Sequence, residues 1–252
     1  MNAQPAFAVI NAPSLKLDAR THQGKVQPSN EDCVAVGEWR SKGDAPTHSC
    51  QQQLSSHPLL LAVADGMSDF AGGDVASERV LKMLQSTSWS NCDEATARRV
   101  LQRAQADLAE QTLLTPELKD MGSTVAGALI SGRHLFFFNV GDSRVYHQRN
   151  GQLKQLSTDD RMGASGMLMQ SLVAQDLNIN ALMDVHHGQR VLRNGDVLLL
   201  CTDGLTDVLS DTEIEQALAQ PGAADTLVLL ALERGAPGNV SCVVAVVEDA
   251  AH

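Results

Sequence analysis

The stretch PLLLAVADGMSDFAGG, residues 58–73, decides the fold. Its six apolar residues, 59–64, form a short continuous run that is typical of a fully buried strand. The run ends at Asp65, whose carboxylate is therefore fixed from behind by the core. Gly66 has no Cβ, so its backbone carbonyl can approach a bound ion closely. A strand is followed by an acidic tip, a glycine-rich loop and a helix. This order predicts that the carboxylate is presented to a metal ion. The alternative is a strand-to-helix turn in which the Asp only caps the helix.

The rest of the chain is rich in strand signals and poorer in helical ones. Residues 72–112 are expected to hold two amphipathic helices. Between residues 122 and 156, apolar runs follow one another through tight turns, including the hairpin signal Asn150-Gly151. A second buried run, residues 197–202, also ends in Asp-Gly, at Asp203-Gly204. Strands joined by turns rather than helices predict an α+β fold, with an antiparallel core and helices packed outside it.

Three regions give less regular patterns. Residues 38–57 are polar and predict an exposed hairpin or loop. The segment from Met167 to Leu177 predicts a helix, and a strand is expected near Ala181 to His186. With 252 residues, no internal repeat and no low-complexity segment, residues 1–252 are expected to form a single domain.

The composition excludes several function classes. Acidic residues outnumber basic ones, 30 to 19, for a net charge of −11. Nucleic acids and anionic membranes need a basic face, so neither is expected as a partner. The first residues, MNAQPAFAVINAP, lack a basic segment followed by a long apolar one, so no secretory signal is expected. No apolar run approaches the ~18 residues of a membrane-spanning helix.

Cysteine usage points to a reducing compartment. The chain has an odd number of cysteines, five, and no C-x-x-C pair. Such a set indicates free thiols rather than a disulfide framework or a structural zinc site. We therefore expect a cytoplasmic protein.

Acidic residues cluster at the ends of predicted strands. They are Glu31-Asp32, Asp65, Asp142, Asp159-Asp160 and Asp203. On one rim of a sheet these carboxylates would repel each other unless cations lay among them. Oxygen-only ligands favour hard ions such as Mg²⁺ or Mn²⁺ over zinc. Two such ions about 3.5–4 Å apart can activate a water for phosphoester hydrolysis. Taken singly, each Asp is better explained as a cap or a turn residue.

An ordered set of short motifs resembles the metal-dependent Ser/Thr protein phosphatases of the protein phosphatase 2C family, and most of all their compact bacterial members. A single Asp-Gly carries no weight, but this order and spacing covers about residues 15–248. The motifs are N-E-D (30–32), A-D-G-M (64–67), G-G (72–73), A-S (76–77), G-S-T (122–124), N-V-G-D-S-R (139–144), T-D-G-L (202–205) and G-N-V-S (238–241).

The resemblance implies a β-sandwich of two antiparallel sheets flanked by α-helices, with a dinuclear Mn²⁺ or Mg²⁺ site at one end. It implies that Asp65 bridges both ions and that Gly66 offers its carbonyl. Asp203 is expected to ligate one ion. Asp142 and Asp160 match the positions that, in bacterial relatives, hold a third ion together with Asp203.

The same resemblance implies the reaction and its partners. Glu31 and Asp32 are expected to orient the water that attacks phosphorus directly, with no phosphoenzyme. The substrate implied is a phosphorylated protein. A cognate Ser/Thr kinase, or its targets, would then be the partner.

Two departures from the family pattern concern the substrate and the metal. Gln27 stands where the family usually carries an Arg that clamps the substrate phosphate, and Gln supplies no charged fork. Gly238 stands where the family usually carries the last metal-binding Asp. If residues 24–28 are extended, Lys25 lies on the same face as Gln27 and could replace part of the missing charge.

Two alternatives stay open, the first of them because of these departures. A catalytically impaired relative, which binds a phosphoprotein or a partner kinase without turnover, is the first. The second is an unrelated metal-dependent nuclease, which the acidic balance and the absence of a basic groove disfavour.

Overall fold

The computed structural model describes residues 13–41, 44, 46–67, 72–162, 167–174 and 183–249. The strands in these ranges are β1 Ser14–His22, β2 Cys33–Val36, β3 Trp39–Arg40, β4 Thr47–Gln53, β5 Leu59–Ala64, β6 Gly122–Ser123, β7 Val125–Ser131, β8 His134–Val140, β9 Arg144–Arg149, β10 Gln152–Gln155, β11 Arg161–Met162, β12 Met167–Leu168, β13 Leu172–Val173, β14 His186–Val191, β15 Val197–Cys201 and β16 Val240–Glu248. The helices are α1 Gly73–Gln85, α2 Glu94–Leu114, α3 Asp203–Thr206, α4 Asp211–Leu218 and α5 Ala223–Glu233, with a 3₁₀ turn at Pro116–Leu118.

Two six-stranded sheets form a sandwich. The first has the strand order β10-β9-β15-β16-β1-β4, and the second has β14-β8-β7-β5-β2-β3. Every neighbouring pair in both sheets is antiparallel. The expected β-sandwich flanked by helices is therefore confirmed.

Apolar side chains fill three layers. Alternate residues of the strands meet between the two sheets, for example Leu17, Leu61 and Val243. The opposite face of the second sheet packs under α1 and α2, and that of the first packs under α4 and α5. Because both faces of each sheet are covered, the central strands read as continuous apolar runs. The six residues of β5 illustrate this, since five of them are buried.

The helices and the tight hairpin follow the sequence pattern. The helices α1 and α2 lie where residues 72–112 predicted them. Asn150 and Gly151 have φ values of 53° and 75°, the left-handed pair that a two-residue hairpin needs. No described helix has the length and apolar character required to cross a membrane.

The polar region 38–57 was only partly predicted. It is exposed, as expected, but its two strands do not form a hairpin with each other. Strand β3 pairs with β2 at the edge of the second sheet, and β4 pairs with β1 at the edge of the first. The chain therefore crosses from one sheet to the other here.

The prediction of a helix from Met167 to Leu177 was wrong. The described part of that segment holds β12 and β13, which pair with β11 and β6. The strand expected near Ala181 to His186 instead starts at His186 and runs to Val191. Strand β12 pairs with its near neighbour β11, whereas β13 depends on hydrogen bonds to β6 much earlier in the chain, which local periodicity does not report. Residues 175–182 lie outside the described ranges.

Candidate metal centre

Six chain segments meet at one end of the sandwich. The register places the ends of β5 and β8 beside the starts of β2 and β7, because Ala64 pairs with Cys33 and Val140 with Val125. In the other sheet, the end of β15 lies beside the start of β16. A cavity of about 570 Å³ opens at this end. Strand-end residues far apart in sequence are thereby brought together.

Four of the predicted metal and phosphate residues line this cavity. They are Asp65, Asp142, Asp203 and Gln27, and Gly238 also lines it. The cavity wall further includes Arg161 and Asp207, which the sequence did not single out. The central expectation, that Asp65 and Asp203 face one shared space, therefore agrees with the structure.

Asp65 is held at the tip of β5 by the neighbouring strand. The Thr124 amide donates to the Asp65 carbonyl at 2.9 Å, and the Asp65 amide donates to Thr124 Oγ1 at 3.3 Å. Thr124 Oγ1 also lies 2.7 Å from Ser143 Oγ. The Asp65 backbone is thus fixed while its side chain faces the cavity.

Gly66 occupies a position that admits only glycine. A Cβ there would lie 2.2 Å from the Gly73 carbonyl oxygen and 2.6 Å from that of Glu31. The Gly66 amide donates to the Glu31 carbonyl at 3.2 Å, which fixes the peptide. The expected approach of the Gly66 carbonyl to an ion stays a prediction, because these contacts concern the absent Cβ.

Asp32 lies beneath the cavity rather than in its wall. It is 7% exposed, and its Oδ2 accepts hydrogen bonds from Ser241 Oγ at 2.6 Å and Thr202 Oγ1 at 2.8 Å. Its other oxygen, Oδ1, is buried and accepts no hydrogen bond from a described residue. Burial raises the pKa of Asp32 to about 7, although both hydroxyls act in the opposite direction.

The carboxylates raise one another's pKa. Burial, followed by the charges of Asp32 and Asp203, raises the pKa of Asp65 well above its ordinary value. Burial and then Asp142 and Asp207 raise the pKa of Asp203 to about 6. A bound cation would relieve the electrostatic repulsion among these carboxylates.

This donor set fits Mg²⁺ or Mn²⁺ in part. The unpaired Oδ1 of Asp32 and the mutual repulsion around Asp65 are features that a hard cation would satisfy. Among the described residues, however, no three Asp, Glu, His or Cys side chains already stand in a metal-binding arrangement. Asp65, the Gly66 carbonyl and Asp203 would hold a pair of ions together with water ligands, which Mg²⁺ retains readily.

Arg161 binds the carboxylates at the outer side of the cavity. Its Nε donates to Asp142 at 2.7 Å and its NH2 to Asp203 at 2.7 Å, and NH1 lies 3.1 Å from Asp207. Burial lowers the pKa of Arg161, but these carboxylates raise it by more, so its pKa is raised overall. The guanidinium is therefore a permanent positive charge at this site.

Asp160 is turned away from the cavity, which does not agree with its expected role as a metal ligand. Its Oδ2 accepts from the Gly141 amide at 2.8 Å and from Gln170 at 3.0 Å. Its Oδ1 lies 2.8 Å from His186 Nε2. These contacts fasten the segment after β10 to the turn that carries Asp142.

Glu31 is positioned by its backbone, and its side chain lies against α1 rather than in the cavity wall. The Glu31 amide donates to Asn239 Oδ1 at 2.8 Å. Glu31 Oε2 lies 2.3 Å from where a Cβ on Gly73 would stand. A role for Glu31 in orienting water stays a prediction, as does that for Asp32.

Lys25 does not share the cavity with Gln27. The backbone bends at residues 25–26 instead of running extended, and Lys25 is exposed. The Gln27 amide donates to the Pro237 carbonyl at 3.3 Å, which places Gln27 beside Gly238 in the wall. A phosphate role for Lys25 required residues 24–28 to be extended, and the structure does not meet this condition.

Arg161 and Asp207 were missed for different reasons. Asp207 follows Asp203 by four residues, so helical spacing alone could have indicated a shared face. Arg161 gave no local signal, because its partners lie 19, 42 and 46 residues away.

Carboxylates from several strand ends are gathered at one end of a two-sheet sandwich, where they form a candidate site for hard metal ions. Residues 42–228 match the family described as Protein phosphatase 2C. Since this match spans well over half of the 252 residues, the chain belongs to the protein phosphatase 2C family.

Individual relatives agree with this assignment. The chain is 31% identical to serine/threonine protein phosphatase PstP of Mycobacterium tuberculosis over 93% of its own length, and it spans 45% of that relative. It is 26% identical to serine/threonine phosphatase stp of Listeria monocytogenes, with 88% of this chain and 92% of the relative covered. The chain thus spans about half the length of the mycobacterial relative and nearly all of the listerial one.

Solved structures resemble the fold closely. The catalytic domain of PstP in complex with two manganese ions gives a TM-score of 0.74 at 31% identity, covering 94% of this chain and 100% of that one. Serine/threonine phosphatase Stp1 from Staphylococcus aureus gives 0.77 at 23% identity, covering 98% and 100%. The second likeness concerns the fold alone.

Proposed function

We propose that this chain hydrolyses phosphoserine and phosphothreonine in proteins with two Mn²⁺ or Mg²⁺ ions. The observation that carries the proposal is the shared cavity of Asp65 and Asp203, whose pKa values are both raised by burial and by neighbouring carboxylates. The relative PstP has been solved with two manganese ions in its catalytic domain. Bound at these residues, the ions would supply a Lewis acid and a water activated for in-line attack on phosphorus.

The protein contributes position and charge. Thr124 fixes the Asp65 backbone, and the hydroxyls of Thr202 and Ser241 fix one oxygen of Asp32 beneath it. The other oxygen of Asp32 is buried beneath the cavity wall, and a part for it in orienting a water is included in this proposal. Asn239 joins the two loops at the cavity mouth, since its Nδ2 donates to the carbonyls of Gln23 and Ser29. The wall that receives the phosphate therefore keeps its shape.

The partners and location follow as further proposals. We propose a phosphorylated protein as substrate and a cognate Ser/Thr kinase, or its targets, as partner. A cytoplasmic location is supported by the five free cysteines, which suit a reducing compartment. The impaired alternative rests on Gln27 and Gly238 only, and the comparisons give it no support.

The test is phosphate release from a phosphothreonine peptide and from p-nitrophenyl phosphate, with and without Mn²⁺. We expect metal-stimulated turnover that Asp65→Asn abolishes. Asp249→Asn, an exposed Asp paired with Arg133 in the β7–β8 turn, is the matched control and should leave turnover unchanged. Tight phosphopeptide binding without turnover would instead establish the impaired alternative.

A further inference from the structure

One guanidinium gathers three carboxylates from separate parts of the chain. Asp142 follows β8, Asp203 begins α3, and Asp207 follows α3, yet all three bond to Arg161 at 2.7, 2.7 and 3.1 Å. The Arg161 side chain is 24% exposed and that of Asp142 is 6% exposed, so this pair is well shielded from water. Charge-assisted contacts of this kind are strong when they are shielded.

Backbone hydrogen bonds on both sides of Arg161 fix its position. It pairs with Leu168 in the β11–β12 ladder, and the amide of the preceding Asp160 donates to the Gly141 carbonyl at 3.0 Å. The Asp160 side chain adds a bond to the Gly141 amide. The strand that carries Arg161 is therefore fastened directly beside the turn that carries Asp142.

The contacts coincide with the place that the family resemblance gives to a third ion. Two of the three carboxylates expected there, Asp142 and Asp203, are bonded to Arg161. The remaining one, Asp160, faces Gly141, Gln170 and His186 instead. The residues present do not fit a third divalent ion, because the guanidinium already binds one oxygen each of Asp142 and Asp203 and places its own positive charge beside them.

We propose that Arg161 takes the place of a third divalent ion in this chain, which therefore binds one ion fewer than a relative with that site open. The proposal rests on the proposed function only in taking the other ions to bind at Asp65 and Asp203. Arg161 uses Oδ2 of Asp203, which leaves Oδ1 of the same carboxylate to face an ion. Arg161 is then a positioning residue for Asp203. Since arginine stays charged at all working pH values, this cation is not lost by dilution or chelation.

The decisive experiment counts ions rather than turnover. Equilibrium dialysis against Mn²⁺ up to millimolar concentration, followed by elemental analysis, gives the number of Mn²⁺ ions per chain for the wild type and for Arg161→Gln. We expect the variant to bind one more Mn²⁺ than the wild type. The control is Arg133→Gln, which removes the same charge from the far β7–β8 turn, where Arg133 pairs with the exposed Asp249, and should bind as the wild type does.

An equal ion count in the wild type and Arg161→Gln would overturn the proposal. Three Mn²⁺ ions bound to the wild type would do so as well, even if the variant did not fold. The ion count is independent of the proposed function. If Arg161→Gln binds one more Mn²⁺ than the wild type but the wild type releases no phosphate, only the phosphatase activity is refuted.

Discussion

Asp65 and Thr124 hold each other through two hydrogen bonds between adjacent strand ends. The Thr124 amide donates to the Asp65 carbonyl, and the Asp65 amide donates to Thr124 Oγ1, at 2.9 and 3.3 Å. Because Ser143 Oγ shares the same hydroxyl at 2.7 Å, one side chain ties the tips of β5, β7 and the turn before β9. The geometry of the metal centre thus depends on a residue with no charge.

Thr124→Val should therefore weaken both the fold and the metal site. The substitution keeps the shape but leaves a buried hydroxyl of Ser143 and the Asp65 amide without their partner, which costs about 1–3 kcal/mol. For a chain of this length we expect a fall in Tm of roughly 2–4 °C per kcal/mol. The Mn²⁺ concentration for half-maximal activity should rise. Thr47→Val on the exposed edge strand is the control, and equal behaviour of the two variants would contradict this account.

Gly238→Asp should strengthen metal binding. A Cβ at Gly238 would meet no atom within 4 Å, so the backbone accepts a side chain there. Gly238 lines the cavity, and an added carboxylate would supply a further oxygen ligand. We expect the Mn²⁺ concentration for half-maximal activity to fall about tenfold, the lower end of what ligand-sphere changes typically produce. Gly238→Ala fills the same space without charge and should change nothing; if it matches the Asp variant, the ligand explanation fails.

Gln27→Arg should improve binding of the substrate phosphate. Gln27 lines the cavity, and a guanidinium there would offer two parallel donors to phosphate oxygens. We expect KM for a phosphothreonine peptide to fall by about tenfold, corresponding to ~1.4 kcal/mol. Lys25→Ala should leave KM unchanged, because Lys25 is exposed outside the cavity. A rise in KM for Lys25→Ala would show that the bend at residues 25–26 straightens when substrate binds.

The metal-free protein should lose stability as pH rises. The folded-state pKa is about 7 for Asp32 and about 6 for Asp203, against an ordinary value of 3.8. A raised folded-state pKa stabilises the fold below the unfolded value, and this contribution is lost as pH increases through the folded value. In EDTA, Tm should therefore fall by several degrees between about pH 4 and pH 8, on the order of a few kcal/mol.

Added Mn²⁺ should restore Tm at the upper end of that range, because it replaces the protons. Thermal unfolding followed by circular dichroism measures both effects. Asp32→Asn should flatten part of the pH dependence. A Tm that does not change with pH in EDTA would mean that these carboxylates are not strained in the absence of metal.

The sequence predicted the parts of the site that depend on local pattern. Asp65 and Asp203 each follow an apolar run and precede a glycine, and the ends of such runs in one sandwich meet at a common edge. The order of the short motifs then indicated the protein phosphatase 2C family. The departures at Gln27 and Gly238 were visible for the same reason, since each occupies a fixed place in a short motif.

The parts that the sequence did not predict depend on pairing across long separations. Asp160 immediately precedes β11, which begins at Arg161, and only the structure shows that Arg161 rather than Asp160 faces the cavity. The helix expected from Met167 failed because β12 and β13 are defined by partners elsewhere in the chain.

The β11–β12 ladder holds Arg161 against three carboxylates. Any protein that pulled this short ladder outwards would withdraw a fixed positive charge from three acidic groups in one movement. The acidic cavity would then attract cations from solution in place of the Arg161 guanidinium. The position of a two-residue strand therefore sets how much uncompensated negative charge faces the cavity.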